Sequence, residues 1–523
     1  MKKLIHKNKN FLFIFILGCL SIAINFYYGY RGIFPTDSFL IFDSGYYVLN
    51  GFYPFKDYWT VTGPLLDYIQ AFLFYIFGIN WFSYVLHAAL INLILAVFSY
   101  VVFIQLNLNK VKSLIYSFGI SLLAYPIIGT PFMDHHSTIF SILAIYFFII
   151  GIEKEKSFFW FFIPIFLACS FLSKQIPAGY ISIFIFLILF FFLYTNFDIK
   201  KIYFLLLGKI FSLFFLSLVF IIYEIPINDF ITQYFLYSLS VGSERVENLN
   251  FNFKEYISHF KYIYICLIPL LAILTKIIIK NKKNFLEKKD FAVILAIFGM
   301  TLIFVYTQII TKNQILIFFM IPLITAFSDI YYFKYFKNKI FIYFVIIICL
   351  FSVTKYHFRY NEQKKFMELE NVNFQSAVNA GKINEIFNGL NWITAYFPKN
   401  PEQEVKNLVE ISSYINLSSK NKIIITDYQF FSAISEDKAN TFIKLNKWYD
   451  AVSTPQKENK YFSYYKNFFV NKINKNNITE IYGIGTDSKF KYFKDFINDE
   501  NCVVEQTINE MLIVYDITHC SFK

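Results

Sequence analysis

The chain has 523 residues, 57% of them hydrophobic and 22% aromatic, with 16% charged and a mean hydropathy of +0.48. A soluble globular domain seldom reaches that apolar content and a protein surrounded by lipid does, so a soluble class is excluded. A net charge of +12 would point to nucleic acid in a soluble protein. Here the lysines sit mostly in short segments between apolar runs, where they orient helices in a membrane, and nucleic acid is set aside as a partner.

The N-terminus, MKKLIHKNKN followed by an apolar run, is signal-peptide-like, and Ile16-Leu17-Gly18-Cys19 approaches a lipoprotein cleavage box. The run continues to Tyr28, however, which suits an uncleaved anchor helix. Apolar stretches long enough to cross a bilayer with some tilt follow at 11–30, 81–104, 113–129, 137–152, 158–173, 176–195, 202–223, 260–280, 290–310, 314–331 and 339–355. The segment 64–79 is shorter and carries Asp67 and Gln70, so it is expected as an amphipathic helix along the membrane surface. The expected fold is an α-helical polytopic membrane domain over 1–355 with about eleven transmembrane helices, followed by a soluble domain over 356–523.

Lysine placement orients the bundle. The tail holds Lys2, Lys3, Lys7 and Lys9, and alternate connections hold Lys110 and Lys112, Lys154 and Lys156, Lys200 and Lys201, the run 280–289, and Lys334, Lys337 and Lys339. The positive-inside rule puts these in the cytoplasm and the remaining loops and the soluble domain outside it. The expected location is a bacterial inner membrane with the C-terminal domain in the periplasm. In that domain Lys422–Asp427 and Ile478–Ile484 read as strands and Val503–Asp516 as a hairpin around Ile508-Asn509-Glu510, giving an α/β domain; 356–420 is expected to be helical. Cys19, Cys169, Cys266 and Cys349 lie in apolar runs. Cys502 and Cys520 are the one pair in the tail, either a disulfide closing the final hairpin in an oxidising compartment or two unrelated thiols.

Chemistry-bearing residues gather in the loops opposite the lysines. Asp37 and Asp43 follow directly on the first helix, with turns at Gly51, Pro54 and Gly63-Pro64 and Asp57 between them. At the water boundary such acids escape the cost of burial in lipid. Asp134, His135 and His136 are consecutive in a later loop. They could bind a divalent cation or hold a phosphate, although consecutive residues need a partner such as Asp43 to close a metal site, so the candidate metal set is Asp43, Asp134 and His135. Lys174 stands against the positive-inside trend, which either a snorkelling side chain or an anionic ligand explains.

As a set, Asp43-Ser44-Gly45-Tyr46-Tyr47, Gly51, Tyr53-Pro54-Phe55, Asp57-Tyr58, Gly63-Pro64 and Phe77-Gly78 resemble the first loop of the GT-C glycosyltransferases, membrane enzymes that use polyprenyl-phosphate-linked sugars. More narrowly the chain is similar to the bacterial group that includes protein mannosyltransferase-like and lipid A-modifying enzymes, mainly over residues 31–180. The resemblance implies an inverting transferase with a polyprenyl-phosphate sugar donor and a glycan, lipid or protein acceptor. It implies that an acid just after the first helix serves as catalytic base or positions the acceptor. Asp43 falls at that place; Ser44 stands where many relatives carry a second acid, and Asp37 is the alternative base. Asp134, His135, His136 and Asp57 become candidates for acceptor or metal positioning. Lys174 and Gln175, a pair similar to one in this loop of related sequences, become candidates for the donor phosphate, with Arg245 as another. No cofactor is otherwise implied. A transporter or flippase is the rival reading; it would place ionisable residues near the bilayer midplane in repeated halves, and the helix middles here are nearly uncharged.

Overall fold

In the computed structural model, residues 2–247, 252–311, 316–435, 453–485 and 489–522 are described. Each of the eleven apolar stretches contains a helix, with positions 314–315 of the stretch 314–331 lying outside the described residues: α1 (Lys2–Gly29), α4 (Trp81–Gln105), α5 (Lys110–Leu123), α6 (Met133–Glu153), α7 (Phe162–Ser173), α8 (Gln175–Thr195), α9 (Ile199–Ile222), α11 (Lys261–Asn281), α12 (Lys289–Thr311), α13 (Met320–Tyr335) and α14 (Ile340–Tyr356). Between them lie α2 (Phe42–Leu49), α3 (Leu65–Phe77) and α10 (Ser238–Glu247). Among the described residues, eight helices are long and apolar enough to cross a membrane. α5, α13 and the turn-plus-helix Ser157–Ser173 are the shorter ones. At 14 residues α5 rises only about 21 Å, short of a hydrocarbon core.

Burial sorts these apolar helices into two kinds. α6 is buried from Met133 to Ile152 without interruption, so it is the centre of the bundle. α9 is as apolar, yet only Gly208 is buried in it, and Phe211, Phe214, Phe215, Ile221 and Ile222 are exposed. A helix apolar all round and bare is one that faces lipid. α3 is amphipathic as expected: Asp67 and Gln70 are buried while Phe72, Tyr75 and Ile76 are exposed. At the lysine-rich end the charges are paired, Lys112 with Asp329 at 2.8 Å and Lys334 with Asp290 at 2.6 Å.

The C-terminal region carries a two-residue ladder of β1 (Val378–Asn379) with β2 (Asn391–Trp392), and α15 (Pro401–Leu417). It ends in β3 (Lys422–Thr426), α16 (Phe462–Lys475), β4 (Glu480–Ile484), β5 (Val504–Asn509) and β6 (Leu512–Asp516). The sheet order is β3-β4-β6-β5, with β3 parallel to β4 and the other pairs antiparallel. β3 and β4 are buried throughout, as a parallel pair linked by a crossover helix requires. Cys502 is bonded to Cys520 across the hairpin. The expectation of helix over 356–420 is corrected: apart from the continuation of α14 and α15, the described segment is short turns and the small ladder. Its Asn-rich composition caps turns instead, as where Asn373, Asn379 and Asn384 each accept a backbone N–H.

The two regions share one core. Gly32 N and Ile33 N, just after α1, donate to Asn391 O and Ile393 O at 3.0 and 3.1 Å, and Asn391 N donates to Tyr30 O at 3.0 Å. Phe39 and Phe42 pack against Phe387, Trp392 and Phe430.

Within the C-terminal region Glu404 is fully buried on α15, accepting from Tyr428 OH and Thr394 Oγ1 at 2.7 Å each. Burial outweighs these bonds and pushes its carboxyl up to about 7 from 4.5. The folded state therefore favours the protonated acid. The stability this gives is complete below about pH 4.5 and is lost as pH rises through about 7, an effect on the order of 3 kcal/mol. Glu404→Gln keeps the shape and removes the titration. Hydrogen exchange at Ile423–Ile425, corrected for intrinsic rate, is expected to speed up between pH 5 and pH 8 in the wild type and to stay level in the variant.

Candidate active site

The site forms where the first loop, the start of α6 and the break between α7 and α8 meet. Asp134 occupies the first turn of α6 with its side chain almost fully buried. Lys174 is an extended residue between α7 and α8 (φ −158°, ψ 141°), and its ammonium donates to both Asp134 oxygens, at 2.7 and 2.6 Å. Such a pair compensates the desolvation of both ions, provided both remain. Asp37 lies in the single helical turn Pro35–Ser38 that precedes α2. Loss of hydration there, reinforced by Asp134, Asp427 and Glu368 and opposed by Lys174, pushes its carboxyl up from 3.8 to about 7. Arg245 on α10 belongs to the same charge group. Loss of hydration lowers its pKa, and Asp134 is the first of the groups that oppose that shift.

Asp43 is placed differently. It is buried at the start of α2, where its N–H donates to Gln429 O at 3.2 Å and its carboxylate accepts from Ser432 Oγ at 3.1 Å. It thus joins the first loop to the C-terminal region, and it is not among the charges acting most strongly on Asp37. Ser44 and Tyr58 both donate to the buried Asp67, at 2.6 and 2.7 Å, so an acid does stand beside Ser44, supplied by α3.

Four further expectations meet different surroundings in the structure. His135 and His136 do not join Asp134, because successive residues on a helix turn away by about 100°. His135 Nε2 is 3.0 Å from Ala124 O, and His136 bonds Tyr125 and, at 2.9 Å, the buried His87. Among the described residues no group of three or more His, Cys, Asp or Glu is placed to hold a metal ion, so Asp43, Asp134 and His135 do not form such a set. Gln175 spends its amide on Val61 O (2.8 Å), Tyr234 O (2.7 Å) and Ser238 Oγ (3.1 Å), which fastens the loop and the 231–238 segment to the break. Asp57 accepts from Tyr53 N at 2.9 Å and faces Lys472 of α16 at 3.7 Å, a docking contact for the C-terminal domain.

Sequence reasoning missed Asp427, Glu368 and Tyr396. Tyr396 OH donates to Asp427 Oδ2 at 3.3 Å and lies 3.2 Å from Thr36 Oγ1, next to Asp37. The available signal was KIIITD itself: an acid directly after a buried parallel strand is where α/β folds present functional groups. Fold and site together define a helical membrane protein whose acid and base groups converge at one end of the bundle under a small mixed domain. No model of a known protein family matches the chain, and no curated protein matches it either.

Two outcomes test this assembly. A Cβ on Gly63 would fall 1.8 Å from Leu172 O, in a contact also held by Gly63 N donating to Ser173 O at 3.1 Å. Gly63→Ala is therefore expected to cost about 2–3 kcal/mol, read as a lowered unfolding temperature. Lys174→Met strands the buried Asp134 carboxylate and is expected to cost about 3 kcal/mol, much of which returns in Lys174→Met/Asp134→Leu, as a double-mutant cycle would show.

Proposed function

We propose that the chain is an inverting GT-C-type glycosyltransferase of a bacterial inner membrane, moving a sugar from a polyprenyl-phosphate carrier to an acceptor outside the cytoplasm. In this reading eleven helices cross the bilayer, the lysine-rich end is cytoplasmic, and the site faces the periplasm. The observation that carries it is Asp37, whose carboxyl is pushed up to about 7 beside the Lys174–Asp134 ion pair. A general base works best with a pKa near the working pH, and a phosphate leaving group needs cations and no acid.

The chemistry follows from the placement. The donor's lipid tail lies along the exposed apolar faces of the bundle, and its phosphate sits beside Lys174 and Arg245. Asp134 holds Lys174 in position. Asp37 takes the proton from an acceptor hydroxyl as that oxygen bonds to the anomeric carbon. The bond from carbon to the phosphate oxygen breaks on the opposite face, so configuration inverts and the lipid phosphate leaves with the electron pair. Asp43, bonded to Ser432 and Gln429, positions the loop that carries Asp37.

One observation favours a transporter: the buried His87–His136 contact between α4 and α6, since ionisable residues inside a bundle often mark proton paths. Transfer assays separate the two. With polyprenyl-phosphate-linked hexoses in membranes, Asp37→Asn is expected to reduce transfer by about a thousandfold and Asp43→Asn by about tenfold. Because the carboxylate is the active form, wild-type kcat/KM should fall about tenfold per pH unit below about 7. Full transfer by Asp37→Asn removes it as the base, and uptake of the same sugars into vesicles without transfer would favour the transporter.

A further inference from the structure

The C-terminal domain reaches Asp37 through a short chain of side chains that begins at Glu404. Its carboxylate accepts from Thr394 Oγ1 and from Tyr428 OH. Thr394 Oγ1 in turn accepts the backbone N–H groups of Tyr396 and Phe397, at 3.2 and 3.3 Å. One buried acid thus fixes two backbone segments at once: the turn that carries Tyr396, and the residue directly after Asp427. Those two segments meet where Tyr396 OH donates to Asp427 and touches Thr36, the neighbour of Asp37. A phenol and a carboxylate beside a general base are groups that orient a hydroxyl nucleophile, the phenol by donating to its oxygen and the carboxylate by holding the phenol in place, which leaves the nucleophile's own proton to the base.

We propose that the C-terminal domain completes the active centre: Tyr396 and Asp427 bind the acceptor hydroxyl beside Asp37, and Glu404 is the positioning residue that holds them there. This rests on the glycosyl-transfer reading above. The acceptor is then a hydroxyl-bearing group that enters between the first loop and the C-terminal domain, while the donor phosphate keeps to the Lys174 and Arg245 side. The charged groups facing Asp37 are Asp134 and Lys174 from the bundle and Asp427 and Glu368 from the C-terminal region. Removing the Asp427 charge therefore acts on the base itself.

The test uses the full chain in membranes or detergent, with hydrogen exchange as one readout and transfer from polyprenyl-phosphate-linked hexoses as the other. Glu404→Ala is expected to speed exchange at 394–397 and at 428–430 by about tenfold or more, and Glu404→Gln to restore it. Unchanged exchange in Glu404→Ala overturns the positioning role, whatever happens to transfer. Tyr396→Phe should leave that exchange as it is and lower transfer about tenfold. Asp427→Asn should move the midpoint of the pH profile to lower pH, because a negative charge facing Asp37 is gone; a purely structural role would leave the midpoint in place. Wild-type transfer that survives Tyr396→Phe, with the midpoint unmoved in Asp427→Asn, overturns the two-domain centre. A wild type that transfers no hexose overturns the transfer reading and the acceptor role of Tyr396 with it, while the exchange data still decide Glu404.

Discussion

A carboxylate in the first turn of a helix that is buried along its whole length needs a cation within reach, because water is too scarce there to solvate it. Asp134 is that carboxylate and Lys174 its cation. The demand shapes the surroundings. Lys174 can turn back toward α6 only because the chain breaks helix there, and the break leaves Ser173 O free to accept from Gly63 N and Gln175 free to hold Val61 and Tyr234. The first loop is thereby seated against the bundle, and Asp37 arrives beside the pair. Had the segment been one continuous helix, neither the ion pair nor the loop contact could form.

The charge balance of the group explains why its members differ. Asp134 has its cation in direct contact, whereas Asp37 feels Lys174 only as an opposing influence and meets three acids as well. One ammonium cannot serve two neighbouring carboxylates equally, and the one without direct contact keeps a raised pKa. An acid poised in this way can take a proton and return it.

Much of the architecture was legible because it rests on short-range pattern. A stretch long enough to cross hydrocarbon is apolar for that reason alone, so each of the eleven runs coincides with a helix. KIIITD and the Val503–Asp516 hairpin were readable from alternation and turn residues, and the Cys502–Cys520 bond was one of two readings that their isolation in the tail allowed. The site was half legible. Asp37, Asp134, Lys174 and Arg245 were in view, since charge at the end of an apolar run is conspicuous. The engagement of Asp43 was not, because its partners Ser432 and Gln429 lie more than three hundred residues away. His135 and His136 misled for the opposite reason: adjacency in sequence suggested a shared target, and helical geometry sends them to Ala124 and His87.

The C-terminal domain is the part that pattern alone assigned least, and its placement changes what the bundle can do. Asp57 with Lys472, Trp59 Nε1 with Ser453 O at 2.8 Å, and Asp43 with Ser432 anchor it along the first loop. A site at the end of a helical bundle is open to water on one side, which weakens every charge in it. Seating Tyr396 and Asp427 over Asp37 closes part of that side. The cost is a buried acid, Glu404, held above its ordinary pKa in the core of the domain. A domain built only for its own stability would fill that position with an apolar side chain. Glu404 bonds Thr394 and Tyr428, in the segments that carry Tyr396 and Asp427, and under the proposed function that gives the conflict a use, since local conflict in a fold tends to collect where function constrains it.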